Sequence, residues 1–457
     1  MRKVDKLSEK PPAKCRGTQT EFNTLCRMGD LPACCYSEGG NHRATDNIRE
    51  EHIMALKDVI PSSKCVETAW GKLINQKDAY NFGVRHIAAF SANLFQLMRI
   101  IEPDWEKRTA AISETAYGFN MAACAGDDDD LYVNAYYDEW NIPEFCERSA
   151  WLGAIWGDSG DEYENMAGRV IQFTRNRVEK ELDTCPWDIV GSEMCNMTTG
   201  MFTANFDLTS VDKKNEVCLN MCEARGCGDR HCRVVAERRD VTGLPQQDWL
   251  SHREQPEFPV HNTPEERTVP EGQILRNGKY TNAFGEEKSF DWCYNWVMQM
   301  GWVWSIQFPL VAMGDMCEDD EEFERLMKIV FSTAGKNEFI DPSSYEGLRD
   351  FLGVPHDIGR VDSRIMGSYI KTLLDCQLVP CEFTAFEKDE TRIHCDCDDF
   401  VGRYEMAPLD ELVIGYEAQW HNAVKTLLSP EFSVWFEGVD TEDMEIVIGK
   451  RIDNRMI

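Results

Sequence analysis

A change of hydrophobic period between residues 382 and 448 constrains this chain more than anything else in it. Glu382-Phe383-Thr384-Ala385-Phe386 and Thr391-Arg392-Ile393-His394 alternate in character on either side of the polar run Glu387-Lys388-Asp389-Glu390. Successive strand side chains point to opposite faces, so a period of two marks a strand. Two such runs around a short polar turn predict a hairpin. A helical period then takes over from about residue 409 to 428, with Leu412, Tyr416, Trp420, Ala423, Val424 and Leu427 on one face. Phe432-Ser433-Val434-Trp435-Phe436 and Met444-Glu445-Ile446-Val447-Ile448 return to strand patterning. The order β-β-α-β-β after a helical section predicts an α+β fold.

The rest of the chain divides by composition. Residues 1–45 hold Cys15, Cys26, Cys34 and Cys35 among polar residues, Gly and Pro, and read as an irregular arm. Residues 46–240 read as a helical half, with Ile87, Phe90, Leu94, Leu97 and Ile101 at helical spacing. Its helical pattern is broken at Gly126 to Asp130 and resumes from Pro143 to about Leu182. A cysteine-rich turn region follows from Cys185 to Cys232, closed by the strand-like Arg233-Val234-Val235-Ala236. Residues 241–288 carry Pro245, Pro256, Pro259, Pro264 and Pro270 with few apolar anchors and read as a connection. Residues 289–457 form a second half: an aromatic helix near 290–312, acidic helices near 319–333 and 345–352, a helix near 363–374, then the β-β-α-β-β end. Cys218, Cys222 and His231-Cys232 in one half are echoed by Cys376, Cys381 and His394-Cys395 in the other. That echo suggests a duplication, each half a helical section followed by a small antiparallel sheet or cysteine-rich hairpin.

Charge and cysteine use narrow the function. With 80 Asp and Glu against 48 Lys and Arg, the formal charge is −32. Such a chain repels phosphate backbones and anionic lipid, and no basic patch offsets this, so nucleic-acid and membrane-surface roles are not expected. The start, Met1-Arg2-Lys3-Val4-Asp5-Lys6 followed by polar residues and Pro11-Pro12, lacks the apolar core of a secretory signal. The most apolar stretch, Phe290 to Gly314, is interrupted by Asp291, Asn295, Gln299, Ser305, Gln307 and Pro309, too polar to span a membrane. A cytoplasmic protein is expected. There the 19 cysteines, an odd number, stay as thiols, bind metal or do redox chemistry. Together with 19 Met and 13 Trp, they make a composition rich in oxidisable side chains, in keeping with anaerobic metabolism.

The sharpest motif is Cys218-x3-Cys222-x4-Cys227-x4-Cys232, four thiols in a segment broken by Gly226 and Gly228. Four thiolates suit an iron–sulfur cluster or tetrahedral zinc, and Arg225, Arg230 and Arg233 would offset the negative charge. We weigh iron–sulfur ahead of zinc, and a cysteine-rich loop without metal against both. A second group is Cys376, Cys381, His394, Cys395 and Cys397, interleaved with Asp396, Asp398 and Asp399. It reads as a second metal site, as an active thiol with acid–base neighbours, or as small apolar side chains filling a sheet face. The aromatic segment with Trp292, Trp296, Trp302 and Trp304 is a core helix or one wall of a pocket for an apolar or aromatic small molecule. His421 lies one turn after Glu417, the spacing of an acid–base or ion pair, whereas His86 on an apolar helix reads as a core histidine. The chain has no P-loop, no strand-borne GxGxxG, no GxSxG and no HExxH.

Around Ile393-His394-Cys395-Asp396-Cys397-Asp398, the last third resembles the L-2-amino-thiazoline-4-carboxylate hydrolase family, small proteins of helices and a sheet with a Cys-x-x-Asp-type strand. Cys395 and Asp398 are the matching positions. The likeness reaches, less closely, residues 142–240. The chain departs from the family by ending in Val447-Ile448-Gly449-Lys450 where a terminal cysteine strand is expected, and by adding the 218–232 cluster. The resemblance implies metal-free hydrolysis with Cys395 as nucleophile, His394 or His421 as base and Asp398 orienting it.

Three expectations follow. The first is a cytosolic metal-thiolate enzyme of anaerobic small-molecule metabolism, with Cys218, Cys222, Cys227 and Cys232 as ligands of an iron–sulfur cluster, or of zinc. Cys376, Cys381 and Cys397 would serve a second site. The alternative is the cysteine-dependent hydrolase. The third is a non-catalytic structural or electron-carrying subunit that grips a partner subunit, or a second copy of itself, through residues 1–45.

Overall fold

Helix starts fall where short polar side chains can satisfy unpaired backbone donors. Asn75 Oδ1 accepts from the Asp78 amide at 2.9 Å, and Asp319 accepts from the amides of Glu321 and Glu322 at 3.0 and 3.2 Å. Asp341, followed by Pro342, and Asp362 cap two later helices in the same way. A computed structural model describes residues 65–125, 168–173, 177–182, 185–209, 217–238, 294, 298, 301, 303–317, 319–400, 409–439, 441 and 443–451. In chain order its elements begin with β1 (Val66–Glu67), β2 (Leu73–Ile74), α1 (Gln76–Ile101) and α2 (Trp105–Ala125). Then come β3 (Gly168–Phe173), β4 (Arg177–Leu182), α3 (Ser192–Thr209), β5 (Val217–Glu223) and β6 (Cys232–Arg238). The later part holds α4 (Phe308–Met316), α5 (Asp320–Glu338), α6 (Pro342–Leu352), α7 (Ser363–Cys376), β7 (Glu382–Phe386) and β8 (Glu390–Cys395). A short α8 (Cys397–Phe400), then α9 (Leu409–Leu427), β9 (Phe432–Glu437) and β10 (Met444–Lys450), complete it.

The fold is α+β. Two four-stranded antiparallel sheets have strand orders β3-β4-β6-β5 and β7-β8-β10-β9. Each therefore runs first, second, fourth, third, with a long helix between its second and third strands. That helix packs on an earlier one in both halves, α3 on α2 and α9 on α5. A glycine brings each pair together. A Cβ on Gly200 would collide with the Ser113 carbonyl oxygen, and one on Gly335 with that of Gln419. The repeated topology does not align the cysteines that echo one another in the sequence: Cys218, Cys222 and Cys232 lie on the third and fourth strands of their sheet, whereas Cys376 and Cys381 precede the first strand of theirs and Cys395 ends the second.

Both halves share one core. Ile87, Phe90, Leu94 and Leu97 of α1 are buried as their spacing predicts, and the cluster around them extends from Met194, Met197 and Met201 on α3 to Ile446 and Ile448 on β10. The aromatic segment contributes as a core element. Tyr294 and Met298 are buried, and the Tyr294 hydroxyl donates to the Cys376 carbonyl at 2.5 Å. Trp292, Trp296 and Trp302 lie outside the described residues, as do the arm 1–45 and the connection 241–288.

Two readings of the first half need correction. The helical pattern assigned up to Leu182 gives way to strands β3 and β4, and the region taken as turns contains the eighteen-residue helix α3. The cause in β4 is a buried charged face. Glu179 and Glu181 are almost fully buried and pair with the equally buried Arg233 of β6. Alternation there does not separate apolar from polar, so the usual strand signal is lost.

Candidate functional site: a thiol group at the start of helix α3

The site is built on a fixed turn. Trp187 and Val190 are buried in the common core, and the Val190 amide donates to the Trp187 carbonyl at 3.0 Å. This holds Cys185 and Asp188 in place ahead of α3. Glu193, in the first turn of α3, is buried and takes hydrogen bonds from Arg99 at 3.0 Å and Arg108 at 3.1 Å. Arg99 also donates to the Val190 carbonyl at 2.6 Å, and Arg108 to the carbonyls of Glu102 and Pro103 at 2.9 and 2.7 Å. Burial opposes ionisation of Glu193, but the two guanidiniums win and hold its carboxyl below the usual carboxylate range.

The connection from β5 to β6 folds over this helix start. Residues Arg225–Cys227 make one tight turn, with the Cys227 amide donating to the Ala224 carbonyl at 2.9 Å. Gly228 ends it in the left-handed region at φ 97°, where glycine carries no Cβ penalty. Asp229 Oδ2 accepts from the Ala224 amide at 2.8 Å. Arg225 binds Asp188 through Nη2 at 2.6 Å and Nε at 3.1 Å, and donates to the Arg230 carbonyl at 2.7 Å. Its backbone N–H donates to the Cys232 sulfur at 3.4 Å. Gly226 lies directly on α3, since a Cβ there would stand 2.7 Å from both the Cys195 sulfur and the Gly191 oxygen.

The Cys195 sulfur therefore lies against Gly226 and the Cys232 sulfur against the Arg225 amide, on the turn that carries Cys227, while Cys185 stands on the segment leading into α3. Burial, reinforced by Cys232, pushes the Cys185 thiol up to about 12. Burial likewise pushes Cys232 up to about 11, against the Arg225 N–H. Cys195 donates a hydrogen bond to the Cys227 sulfur and is itself held well above the ordinary thiol range. Cys227 moves the other way. The bond from Cys195 outweighs its partial burial and the nearby Asp229 and Glu193 charges, and lowers its pKa. Cys227 is also half-buried rather than sealed in.

Of the four ligands read from the sequence, the structure brings Cys227 and Cys232 here. Cys218 and Cys222 stay on strand β5, Cys218 opposite Glu237 and Cys222 at the bulge between Met221 and Glu223. Their places in the group are taken by Cys185 and Cys195. Among the described residues, no group of three or more His, Cys, Asp or Glu side chains has the spacing of a metal site. One sequence signal pointed to Cys185: Cys185-x-x-Asp188 follows β4 just as Cys395-x-x-Asp398 begins at the end of β8. Nothing comparable marks Cys195.

The second group is core. Cys376, Cys395 and Cys397 are buried, and Cys381 donates to Asp375 Oδ1 at 3.6 Å. Glu382 stands opposite His394, which sets Cys381 beside Cys395, as a returning hairpin predicts. Burial pushes Cys376 and Cys381 far up, and burial with the Cys397, Asp396 and Asp399 charges pushes Cys395 up to about 12. His394 faces the other side of β8, half-buried, opposite Glu445. Asp398 lies in α8. His421 is buried, its Nδ1 3.3 Å from the Val434 carbonyl and its Nε2 2.6 Å from Lys425 Nζ, while Glu417 accepts from the Phe436 amide at 3.4 Å. His86 is the satisfied core histidine expected of it, 2.8 Å from the Phe82 carbonyl and 2.9 Å from the Tyr369 hydroxyl, and burial lowers its pKa.

The chain matches no protein-family model, no curated protein and no solved structure. Among the described residues, no helix is long and apolar enough to cross a membrane.

Proposed function

We propose that the chain is a cysteine-dependent enzyme acting on a small molecule, with Cys227 as its nucleophile. One observation carries this reading: Cys227 is a half-buried thiol at the end of a tight turn, packed with Cys195 against the buried Met221 and Ala224, and its pKa is displaced downward. A thiolate is the reactive form of cysteine, so a lowered pKa at an accessible position is what nucleophilic work requires. Cys395 is a poor alternative, being buried and pushed up to about 12. On this reading the reactive position lies in the first half, not at Cys395, where the hydrolase resemblance would place it. Arg225 is held by Asp188, leaving the turn braced while the sulfur attacks. A reducing cytoplasm is the setting such a thiol needs.

The test is alkylation of the full chain by iodoacetamide from pH 6 to 10, with sites mapped by mass spectrometry. Cys227 is expected to react first, with a midpoint below that of free cysteine, roughly 8.5. Reaction no faster than at Cys232 would remove the proposal.

A second reading, a metal-thiolate protein, is favoured by Cys227 and Cys232 of the expected motif lying on one connection, with the Cys195 sulfur against the adjoining Gly226. Four thiolates would suit an iron–sulfur cluster or zinc. Anaerobic purification followed by analysis for iron, acid-labile sulfide and zinc decides it. A metal-free chain with all four thiols titratable leaves the nucleophile reading alone.

A further inference from the structure

The shared core holds a chain of hydrogen bonds that the cysteine chemistry does not use. It crosses four helices: Phe82 and His86 of α1, Tyr369 of α7, Glu338 at the end of α5 and Gln419 of α9. His86 Nδ1 lies 2.8 Å from the Phe82 carbonyl, and its Nε2 lies 2.9 Å from the Tyr369 hydroxyl oxygen. The same hydroxyl meets Glu338 Oε1, and the Gln419 amide donates to Glu338 Oε2 at 3.3 Å. Tyr369 is 1% exposed, His86 and Glu338 are half-buried, and the rings of Phe82, Phe339 and Phe351 pack around them. Among the described residues, the titratable groups acting on His86 and Tyr369 are Glu338 from α5 and Tyr416 from α9. Helix α6 presents the Phe351 ring, while Arg85 on α1 and Lys336 on α5 are exposed.

This chain is complete only with one proton more than a neutral imidazole and a carboxylate supply. A carbonyl only accepts, so Nδ1 carries a proton in every state that keeps the Phe82 bond. The Gln419 amide likewise fixes Glu338 Oε2 as an acceptor. Tyr369 then has a single hydroxyl proton for two neighbours. If that proton goes to Glu338, Nε2 must be protonated to donate to Tyr369, and the ring is an imidazolium. If it goes to Nε2, Glu338 Oε1 must be protonated to donate to the Tyr369 oxygen. Either way the group has no net charge, and the two forms differ by shifting protons through Tyr369. Burial lowers the His86 pKa while the Glu338 charge works the other way, so the proton belongs to the linked group rather than to one residue. Its loss leaves a carboxylate and a neutral ring, with one Tyr369 contact facing lone pair to lone pair. The charged acceptor makes the stronger bond, so Tyr369 stays with Glu338. We propose that His86, Tyr369 and Glu338 form a one-proton switch between α1 and α7: with the proton bound all three side chains are joined, and its release on raising the pH detaches Tyr369 from His86. After release, Gln377 Nε2 still donates to the Gly83 carbonyl at 3.3 Å, so α7 loosens from α1 without parting from it. The switch uses no cysteine and stands apart from the nucleophile reading.

The test is nitrogen NMR of the full chain, isotope-labelled at histidine, from about pH 6.5 to about pH 10, starting at the ordinary histidine value. Loss of signals in His86→Gln identifies those of His86. In the parent, Nδ1 should stay protonated throughout. Nε2 should begin hydrogen-bonded and pass through a single one-proton transition to a bare nitrogen with no donor. Glu338→Gln places an amide N–H where the protonated carboxyl would donate, so the Tyr369 proton goes to Nε2 at every pH in the range. The transition should vanish there and the bond should remain. Tyr369→Phe removes the link, and Nε2 should be unbonded throughout. Past the parent's transition, backbone amides of α1 near His86 should exchange severalfold faster relative to the rest of that helix, and this gain should be absent in Glu338→Gln. An Nε2 bond that survives to the top of the range in the parent, or that is already missing at its foot, overturns the proposal. So does a transition that persists in Glu338→Gln. Should that variant misfold, Tyr369→Phe decides, because a parent transition reproduced without the hydroxyl refutes the switch as well.

Discussion

Replacing Glu193 by glutamine should weaken the fold and sharpen the thiol at once, and the two effects have opposite signs for a stated reason. Glu193 is buried, with side-chain exposure of 2%, and pairs with Arg99 at 29% and Arg108 at 7%. Removing one partner of a buried ion pair leaves the other charge without compensation, at about 3–5 kcal/mol. Arg99 reaches water and adds little to that penalty. Arg108 keeps its bonds to the Glu102 and Pro103 carbonyls, which places the loss near the lower end, about 3 kcal/mol. The same carboxylate repels the Cys227 thiolate and holds its pKa higher than it would otherwise stand. Its neutralisation should therefore move the Cys227 alkylation midpoint further down. Urea unfolding measures the first effect, and iodoacetamide labelling at sub-denaturing conditions measures the second. An unchanged urea midpoint would show that Arg99 and Arg108 do not depend on Glu193. A midpoint for Cys227 that rises would show that Glu193 positions the turn more than it repels the sulfur. The pH dependence follows from the same pair. Glu193 is held below its unfolded value, so its contribution is fully present above the unfolded carboxylate pKa of about 4.3 and is lost as pH falls through the lower, folded value. The acid limb of the parent stability curve should flatten in the glutamine variant.

Cys195→Ala removes the donor to Cys227 and should raise the Cys227 alkylation midpoint toward the ordinary thiol value of about 8.5, read by the same labelling series. Gly335→Ala forces a methyl into the Gln419 carbonyl at the crossing of α5 and α9 and should cost about 1–3 kcal/mol by urea unfolding; a neutral result would mean that the crossing has room. Cys395→Ala should leave Cys227 labelling unchanged while costing about 1 kcal/mol, the loss expected for emptying a small part of a packed core. Loss of Cys227 labelling on that substitution would tie the two halves together chemically.

Legibility from the sequence varied with the physics of each segment. The second sheet was readable because its strands have an apolar side: Ile393 and Cys395 are buried and Arg392 and His394 are not. The first sheet was not, because β4 buries Glu179 and Glu181 on Arg233, and hydropathy alternation carries no sign of a buried salt bridge. The thiol group was half readable for a related reason. Counting cysteines along 218–232 captured Cys227 and Cys232, which one turn keeps together. It also admitted Cys218 and Cys222, which the regular rise of strand β5 carries along the sheet. Cys185 and Cys195 enter through the docking of α3 beneath the loop, and that docking depends on Gly226 rather than on any cysteine spacing.

The repeated architecture locates the difference between the halves on which the proposed chemistry depends. The two sheets share strand order and an intervening helix, so corresponding connections can be compared directly. Between β5 and β6 the chain runs Ala224 to His231, long enough to make a turn that reaches back onto α3 and presents Cys227. Between β9 and β10 it runs Gly438 to Asp443, without a cysteine, and Gly438 at φ 66° brings it round so closely that a Cβ there would meet the Asp443 oxygen at 2.7 Å. The second half still has its Cys-x-x-Asp segment, yet its thiols are buried beside Cys381 and Asp375, and burial raises every one whose pKa is displaced. A sulfur in that setting behaves as a small apolar side chain. What distinguishes the first half is therefore the loop, which supplies an accessible sulfur and rests it on a donor from α3.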